Sequence, residues 1–154
     1  MKLARYDALL IEDDPAVTEL ARIAAAESLP GLVLTVLDGF DAALNWLEGI
    51  VSDKEQMPHI ILLDLKLPKL DGLAVLRTMR NCPALHNTPI VVFSTEHAQD
   101  DVLLSYRVGA NSFVEKPVDK ERFGDLFREQ LAYWIRPHSG KMDITARGDA
   151  AGRI

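Results

Sequence analysis

The chain has 154 residues, of which 48% are hydrophobic and 26% charged, and its formal net charge is -6 at pH 7. These values suit one folded domain with a full core, and the acidic balance excludes a general attraction for nucleic acid or an anionic membrane. The single cysteine, Cys82, excludes an intrachain disulfide. No apolar run approaches the about 20 residues of a membrane-spanning helix, and the N-terminus lacks a signal peptide, so we expect a cytoplasmic protein.

Apolar runs of strand length alternate along the chain with longer segments of helical period. The runs are short and almost wholly apolar, which indicates strands buried on both faces of a sheet. Asp14-Pro15 is a favourable helix start and Gly109 a favourable helix end. The predicted strands are Ala8–Ile11, Leu32–Leu37, Ile60–Leu63, Pro89–Phe93 and Ser112–Val114, and the predicted helices follow Asp14, contain Ala42–Leu47 and Val75–Met79, and cover Gln99–Val108 and Asp119–Ile135.

Strands that alternate with helices in this way indicate parallel βαβ units with right-handed crossovers and a sheet covered by helices on both faces. We expect one domain over residues 1–136. The segment 137–154 is polar, contains glycine and has no period, so we predict a disordered tail. The polar stretch Gly49–Pro58 is predicted to be a loop.

Polar side chains follow four of the predicted strands, at the point where each strand ends. Glu12-Asp13-Asp14 follows the first strand, Asp64 the third, Ser94-Thr95 the fourth, and Lys116 comes soon after the fifth. Because ligands bind at the carboxyl ends of the strands in open α/β sheets, we expect these groups to share one cleft. Each could be an ordinary loop residue or helix cap, as Asp14 is expected to be, but the combination favours a site.

The residue types in this cleft are those that phosphoryl transfer needs. Crowded carboxylates repel one another and favour a hard cation such as Mg²⁺. An aspartate beside such an ion can attack phosphorus, a lysine can hold a second phosphoryl oxygen, and a hydroxyl can bind the third. Asp64, Asp13, Lys116 and Ser94 match these roles, with Thr95 as the alternative hydroxyl.

The motifs together resemble the receiver domain of two-component response regulators. The resemblance extends from about Tyr6 to Ile135 and implies a flavodoxin-like (βα)5 doubly wound fold with a five-stranded parallel sheet in the order 2-1-3-4-5. The matching stretches are Leu10-Ile11-Glu12-Asp13-Asp14-Pro15, Leu62-Leu63-Asp64-Leu65-Lys66-Leu67-Pro68 with Asp71-Gly72, Pro89-Ile90-Val91-Val92-Phe93-Ser94, and Gly109-Ala110 through Phe113 to Lys116-Pro117.

The resemblance implies a role for each residue that matches the family's motifs. Asp64 would be the phosphoacceptor, and Mg²⁺ or Mn²⁺ the metal. The metal would bind Asp64 and Asp13 directly, Glu12 through water, and the backbone carbonyl of Lys66.

The remaining matches concern the switch that responds to the phosphoryl group. Ser94 would be the switch hydroxyl, Lys116 the ammonium and Phe113 the aromatic partner on the fifth strand. The Lys116–Pro117 bond would be cis, as is typical in such proteins.

Two charged positions could control how long the phosphoryl group persists. Lys66 lies two residues after the phosphoacceptor, where many relatives carry a neutral or small residue, and Glu96 lies two residues after Ser94. We hypothesise that Lys66 and Glu96 pair over the phosphoryl group and slow attack by water.

The last part of the motif set is similar to single-domain regulators that partner bacterial phytochromes and related histidine kinases. This narrower resemblance depends on Ser105–Phe113, Lys116–Asp119 and the aromatic pair Tyr133-Trp134. It implies a sensor histidine kinase as phosphodonor, with a bacteriophytochrome as one candidate.

The fifth predicted helix is more apolar than one buried face requires. One interpretation is a broad core helix. The other is a homodimer or partner interface through helix four, strand five and helix five, which receivers commonly use, with Tyr106, Phe123, Phe127 and Trp134 as interface residues.

We therefore predict a phosphoacceptor switch whose output is protein contact, and not an enzyme beyond slow self-dephosphorylation. Phosphatases of the haloacid dehalogenase type are a rival, but they need a second carboxylate where this chain has Lys66. A receiver-shaped scaffold that is never phosphorylated is the other rival. The retained set of Asp13, Asp64, Ser94 and Lys116 argues against it.

Overall fold

A computed structural model describes residues 4–66, 72–95 and 99–135, in which strands and helices alternate as the sequence predicts. Their bounds are β1 (Tyr6–Ile11), α1 (Pro15–Ala26), β2 (Leu32–Leu37), α2 (Phe40–Val51), β3 (Ile60–Asp64), α3 (Gly72–Arg80), a short 3-10 helix (Pro83–Leu85), β4 (Ile90–Ser94), α4 (Gln99–Val108), β5 (Ser112–Glu115) and α5 (Lys120–Trp134). The predicted tail lies outside the described residues. Within them no helix is long and apolar enough to cross a membrane.

The five strands form one sheet in the order β2-β1-β3-β4-β5, and all neighbouring pairs are parallel. This order confirms the predicted flavodoxin-like topology. Ile11 pairs with Leu63, and Asp64 pairs with Phe93. The carboxyl ends of β1, β3 and β4 therefore lie side by side at one edge of the sheet, where the predicted site residues follow.

Side chains that alternate along the strands divide the core into two layers. On one face of the sheet, Leu9, Ile61 and Val92 belong to a cluster that also contains residues of α2 and α3. On the other face, Leu10, Leu62 and Phe93 belong to a cluster that also contains residues of α1 and α5. The sheet is therefore covered on both faces, which explains why the central strands are apolar throughout.

The helix α1 begins at its predicted capping residue, whereas α2 ends later than predicted. The Asp14 carboxylate accepts a hydrogen bond of 2.9 Å from the Ala16 N–H, and so begins α1 as expected. The predicted loop at Gly49–Pro58 begins too early, because α2 continues to Val51. The backbone N–H groups of Lys54 and Glu55 donate to the Gly49 carbonyl at 2.7 and 3.1 Å, so the chain folds back on the helix end there.

Two of the four predicted interface residues belong to the core, so this part of the prediction is wrong. Phe123 and Phe127 are only 3% and 0% exposed. Their rings lie 5.7 Å apart between centroids, and each lies 6.1 Å from the ring of Phe93. They fill the space between α5 and the sheet, since α5 turns this side toward β4. Tyr106 is 46% exposed, and Trp134 is half-buried.

Candidate functional site

Three carboxylates meet at the carboxyl edge of the sheet. Glu12 and Asp13 follow β1, and Asp64 is the last residue of β3. One oxygen from each of the three lies within 4.8 Å of the others, an arrangement that could hold a metal ion. Glu12 is 2% and Asp64 5% exposed, so these two carboxylates are shielded from water, while Asp13 is half-buried. An all-oxygen set of this kind fits a hard divalent cation.

The raised pKa of Glu12 also indicates that the three carboxylates suit a divalent cation. Burial raises the pKa of its carboxyl group from 4.5 to about 7, and the Asp64 carboxylate also raises it, while the hydrogen bond from Lys116 acts in the opposite direction. A carboxyl group with such a pKa is costly to ionise in this position. A bound cation would offset the repulsion between the carboxylates and favour the ionised form.

Lys116 connects the carboxylates from the far side of the site. Its Nζ lies 2.9 Å from Glu12 Oε1 and 3.5 Å from Asp64 Oδ2, and its side chain is 10% exposed. Its backbone N–H donates to the Ser94 carbonyl at 2.8 Å, which ties the end of β5 to the end of β4. The predicted ammonium therefore lies beside the predicted phosphoacceptor.

The predicted cis bond between Lys116 and Pro117 is wrong, because no peptide bond among the described residues is cis. A trans bond is the more stable form for most residues before proline. It still allows the lysine side chain to reach Glu12, at 2.9 Å.

The backbone that follows Asp64 is tightly fixed. The Lys66 N–H donates to Asp64 Oδ1 at 3.0 Å, and the Leu65 N–H donates to the Phe93 carbonyl at 3.1 Å. The Gly72 N–H donates to the Leu65 carbonyl at 2.7 Å, and a Cβ at Gly72 would lie only 2.5 Å from the Leu65 Cα. Glycine is required here because α3 begins against the backbone that carries the site.

The two candidate hydroxyls differ in their surroundings. Ser94 is fully buried at the end of β4 and pairs with Glu115 of β5, whereas Thr95 is exposed. The alternation of β4 places Ser94 in phase with Ile90 and Val92. Ser94 therefore remains the preferred switch hydroxyl, and its role is still a prediction.

Two further residues, Tyr106 beside β5 and Arg80 at the amino edge of the sheet, have contacts that the sequence did not indicate. The backbone N–H of Phe113, which is half-buried, donates to the Tyr106 hydroxyl at 3.0 Å. Arg80 donates to the carbonyls of Gly109 and Leu85 and to the Asn111 side chain, at 3.0, 2.8 and 2.8 Å. Burial lowers the pKa of the Arg80 guanidinium. The sequence gives no pattern for these contacts, except that Arg80 directly follows the predicted helical stretch Val75–Met79.

Comparison with known proteins assigns the family. The sequence matches the response regulator receiver domain over residues 8–128. The chain belongs to this family. It is 32% identical to the response regulator Rcp1 of Synechocystis sp. over 128 residues, which cover 82% of this chain and 87% of Rcp1.

Solved structures of response regulators, among them two phytochrome response regulators, are similar to this receiver. The Mn²⁺-bound form of Rcp1 is 30% identical, has a TM-score of 0.77, and is matched over 87% of this chain and 97% of its own. The phosphorylated cyanobacterial phytochrome response regulator RcpA is 28% identical, with a TM-score of 0.80 and coverage of 88% and 98%. The bacteriophytochrome response regulator AtBRR is 30% identical, with a TM-score of 0.66 and coverage of 90% and 100%. The predicted resemblance to this group is confirmed.

Proposed function

We propose that this receiver accepts a phosphoryl group on Asp64 from the phosphohistidine of a sensor histidine kinase, in a Mg²⁺-dependent reaction. The observation that carries the proposal is the meeting of Asp64 with Glu12, Asp13 and Lys116 at one sheet edge, with Lys116 Nζ 3.5 Å from Asp64 Oδ2. The relative RcpA is known in a phosphorylated form, which supports the same chemistry here. The direct test is phosphoryl uptake at Asp64, measured by intact mass.

Each residue of the site has a defined task in this reaction. An oxygen of Asp64 forms a bond to phosphorus while the bond between phosphorus and the donor's imidazole nitrogen breaks, which leaves an acyl phosphate on Asp64. Lys116 pairs with a phosphoryl oxygen and offsets its charge. Asp13, Asp64 and the Lys66 carbonyl would hold Mg²⁺ or Mn²⁺ directly, and Glu12 through water. The bound cation would neutralise the charge that gathers on the transferred group.

The phosphorylated site would act through Ser94 and Phe113 on the surface formed by α4, β5 and α5. A new phosphoryl oxygen attracts the Ser94 hydroxyl, and Ser94 is tied to β5 through the Lys116 N–H. Leu103 and Tyr106 of α4 and Tyr133 of α5 are 50%, 46% and 57% exposed, so this surface can receive a second protein. We propose a homodimer or a protein partner there, in contact with Tyr106 and Trp134 but not with the buried Phe123 and Phe127.

The donor that fits best is a phytochrome-linked histidine kinase, because AtBRR and RcpA are phytochrome response regulators.

The second candidate function is a receiver-shaped scaffold that is never phosphorylated. The ion pairs of Lys116 with two carboxylates, at 2.9 and 3.5 Å, argue against it, because a scaffold would not need to keep buried charges so close together.

Removal of the Asp13 carboxylate should weaken metal binding. In Asp13→Asn, Mg²⁺ should bind more than about 10-fold less tightly, since loss of even an outer partner of a metal site has an effect of that size. Isothermal titration with MgCl₂ measures the change. Asp14→Asn is the matched control, because Asp14 caps α1 and asparagine caps a helix equally well. Equal affinity in the two variants would contradict the role of Asp13.

The hypothesis that Lys66 and Glu96 shield the phosphoryl group also has a test. Lys66 is exposed at the edge of the site, and Glu96 lies outside the described residues. In the double variant Lys66→Ala and Glu96→Ala, the acyl phosphate should decay up to about fivefold faster, because an exposed ion pair contributes at most about 1 kcal/mol. Decay of ³²P-labelled protein gives the lifetime.

The control removes a similar pair of charges far from the phosphoryl group. Lys54→Ala with Glu55→Ala changes residues before β3, at the opposite end of the sheet. This control should leave the lifetime unchanged. A lifetime that is the same in all three proteins would overturn the shielding hypothesis.

A further inference from the structure

The helix α4 is attached to the rest of the domain by few buried side chains. Among its described side chains, from Asp101 to Val108, only Ser105 is buried. The Ser105 hydroxyl donates to the Asp101 carbonyl at 2.8 Å, a bond within the same helix. Leu103 and Leu104 are 50% and 39% exposed. A helix with so little buried apolar surface can change its position at low cost.

The carboxyl end of α4 is nevertheless held firmly, by Arg80 of α3. Arg80 Nε donates to the Gly109 carbonyl at 3.0 Å, and its Nη2 donates to Asn111 Oδ1 at 2.8 Å. The Asn111 Oδ1 also accepts from the Ile90 N–H at 2.9 Å. This end is therefore tied to α3, β4 and the start of β5, and a shift of α4 would pivot about it.

Among the described residues, one hydrogen bond joins the side of α4 to the sheet. The Tyr106 hydroxyl accepts from the Phe113 N–H at 3.0 Å. Because β5 is an edge strand, no neighbouring strand can accept from this N–H on its outer side. Of the side chains described on α4, Tyr106 is the one that bonds to a group outside its own helix.

We propose that Tyr106 is a latch that holds α4 in its resting position and that opens when the site is phosphorylated. The proposal rests on the function proposed above. The backbone of Phe113 is fixed by its pairing with Val92 of β4. The helix α4 buries little apolar surface and would shift as one unit. A rotation of α4 about the end held by Arg80 would carry the Tyr106 hydroxyl away from the Phe113 N–H, and a displacement of about 1 Å is enough to break a hydrogen bond.

The substitution Tyr106→Phe removes the hydroxyl and keeps the ring. If the bond exists only in the resting state, its loss favours the active state, and the variant should bind beryllofluoride, a phosphoryl analogue, about 2- to 12-fold more tightly in MgCl₂. A residue that merely stabilised the fold would not raise this affinity. Titration followed by ¹⁹F and ¹H–¹⁵N NMR spectra gives the affinity.

Hydrogen exchange at the Phe113 amide tests the latch without a measurement of binding affinity. The amide should exchange faster in Tyr106→Phe than in the wild type, and beryllofluoride should raise the wild-type rate toward that of the variant. Tyr6→Phe is the control, since Tyr6 packs on His59 at the opposite end of the sheet and should alter neither measurement.

Unchanged or weaker beryllofluoride binding in Tyr106→Phe would overturn the latch, because the bond would then persist in the active state or contribute nothing. An unchanged exchange rate at Phe113 would overturn it as well. If the wild type binds no beryllofluoride at all, the proposed function fails instead. The exchange rates would then still decide whether the resting-state bond exists.

Discussion

A protein with asparagine in place of Asp64 should gain no mass from acetyl phosphate in MgCl₂, whereas the wild type should gain about 80 Da, the mass of one phosphoryl group. Asparagine has nearly the same size but is a poor nucleophile. Asp64 is the carboxylate that both the Lys66 N–H and the Lys116 ammonium contact, at 3.0 and 3.5 Å. Intact-mass spectrometry of both proteins in parallel measures the difference.

The control for this experiment is Asp14→Asn, which changes a neighbouring carboxylate that only caps α1. It should gain the same mass as the wild type. A gain of about 80 Da in Asp64→Asn would mean that another residue accepts the phosphoryl group. If the wild type gains nothing from acetyl phosphate and nothing from a phosphorylated histidine kinase, the scaffold becomes the better explanation.

The strands were predictable from sequence because the sheet is buried on both faces. Runs such as Ile60–Leu63 contain no polar residue until the chain reaches the site, so their ends mark the sheet edge. The end of α2 was harder to predict, since glycine usually indicates a helix end. Gly49 instead leaves room for the Glu55 side chain, whose Cγ would lie 2.4 Å from a Cβ at that position. Such a contact across a turn leaves no local pattern.

The site was predictable in its members but not in their contacts. A polar residue after each apolar strand indicates a shared edge, which is sufficient to bring Glu12, Asp64 and Lys116 together. The bond from Lys116 to Glu12 joins residues 104 positions apart, and that from Arg80 to Asn111 joins residues 31 apart. Distances of this kind depend on crossover geometry and side-chain rotamers, which single-sequence patterns do not contain.

The aromatic residues of α5 show the limit of reasoning from helical period. The period correctly predicts a helix, but it does not say how wide a face the sheet covers. Phe123 and Phe127 lie four residues apart and both turn toward Phe93. A core explanation and an interface explanation of the same pattern can therefore be separated only by burial or by experiment.

The substitution Phe127→Ala should lower the free energy of unfolding by about 3–5 kcal/mol, the usual cost of deleting a buried phenylalanine ring. Phe127 is 0% exposed and contacts both Phe93 and Phe123, so the cavity would lie between α5 and the sheet. Urea unfolding followed by circular dichroism measures the loss. Val118→Ala, at a side chain that is 96% exposed, should change stability by less than about 0.5 kcal/mol. A Phe127→Ala protein that keeps its stability but changes its oligomeric state on sizing would instead restore Phe127 to the interface, because only a residue outside the core can lose its ring without leaving a cavity.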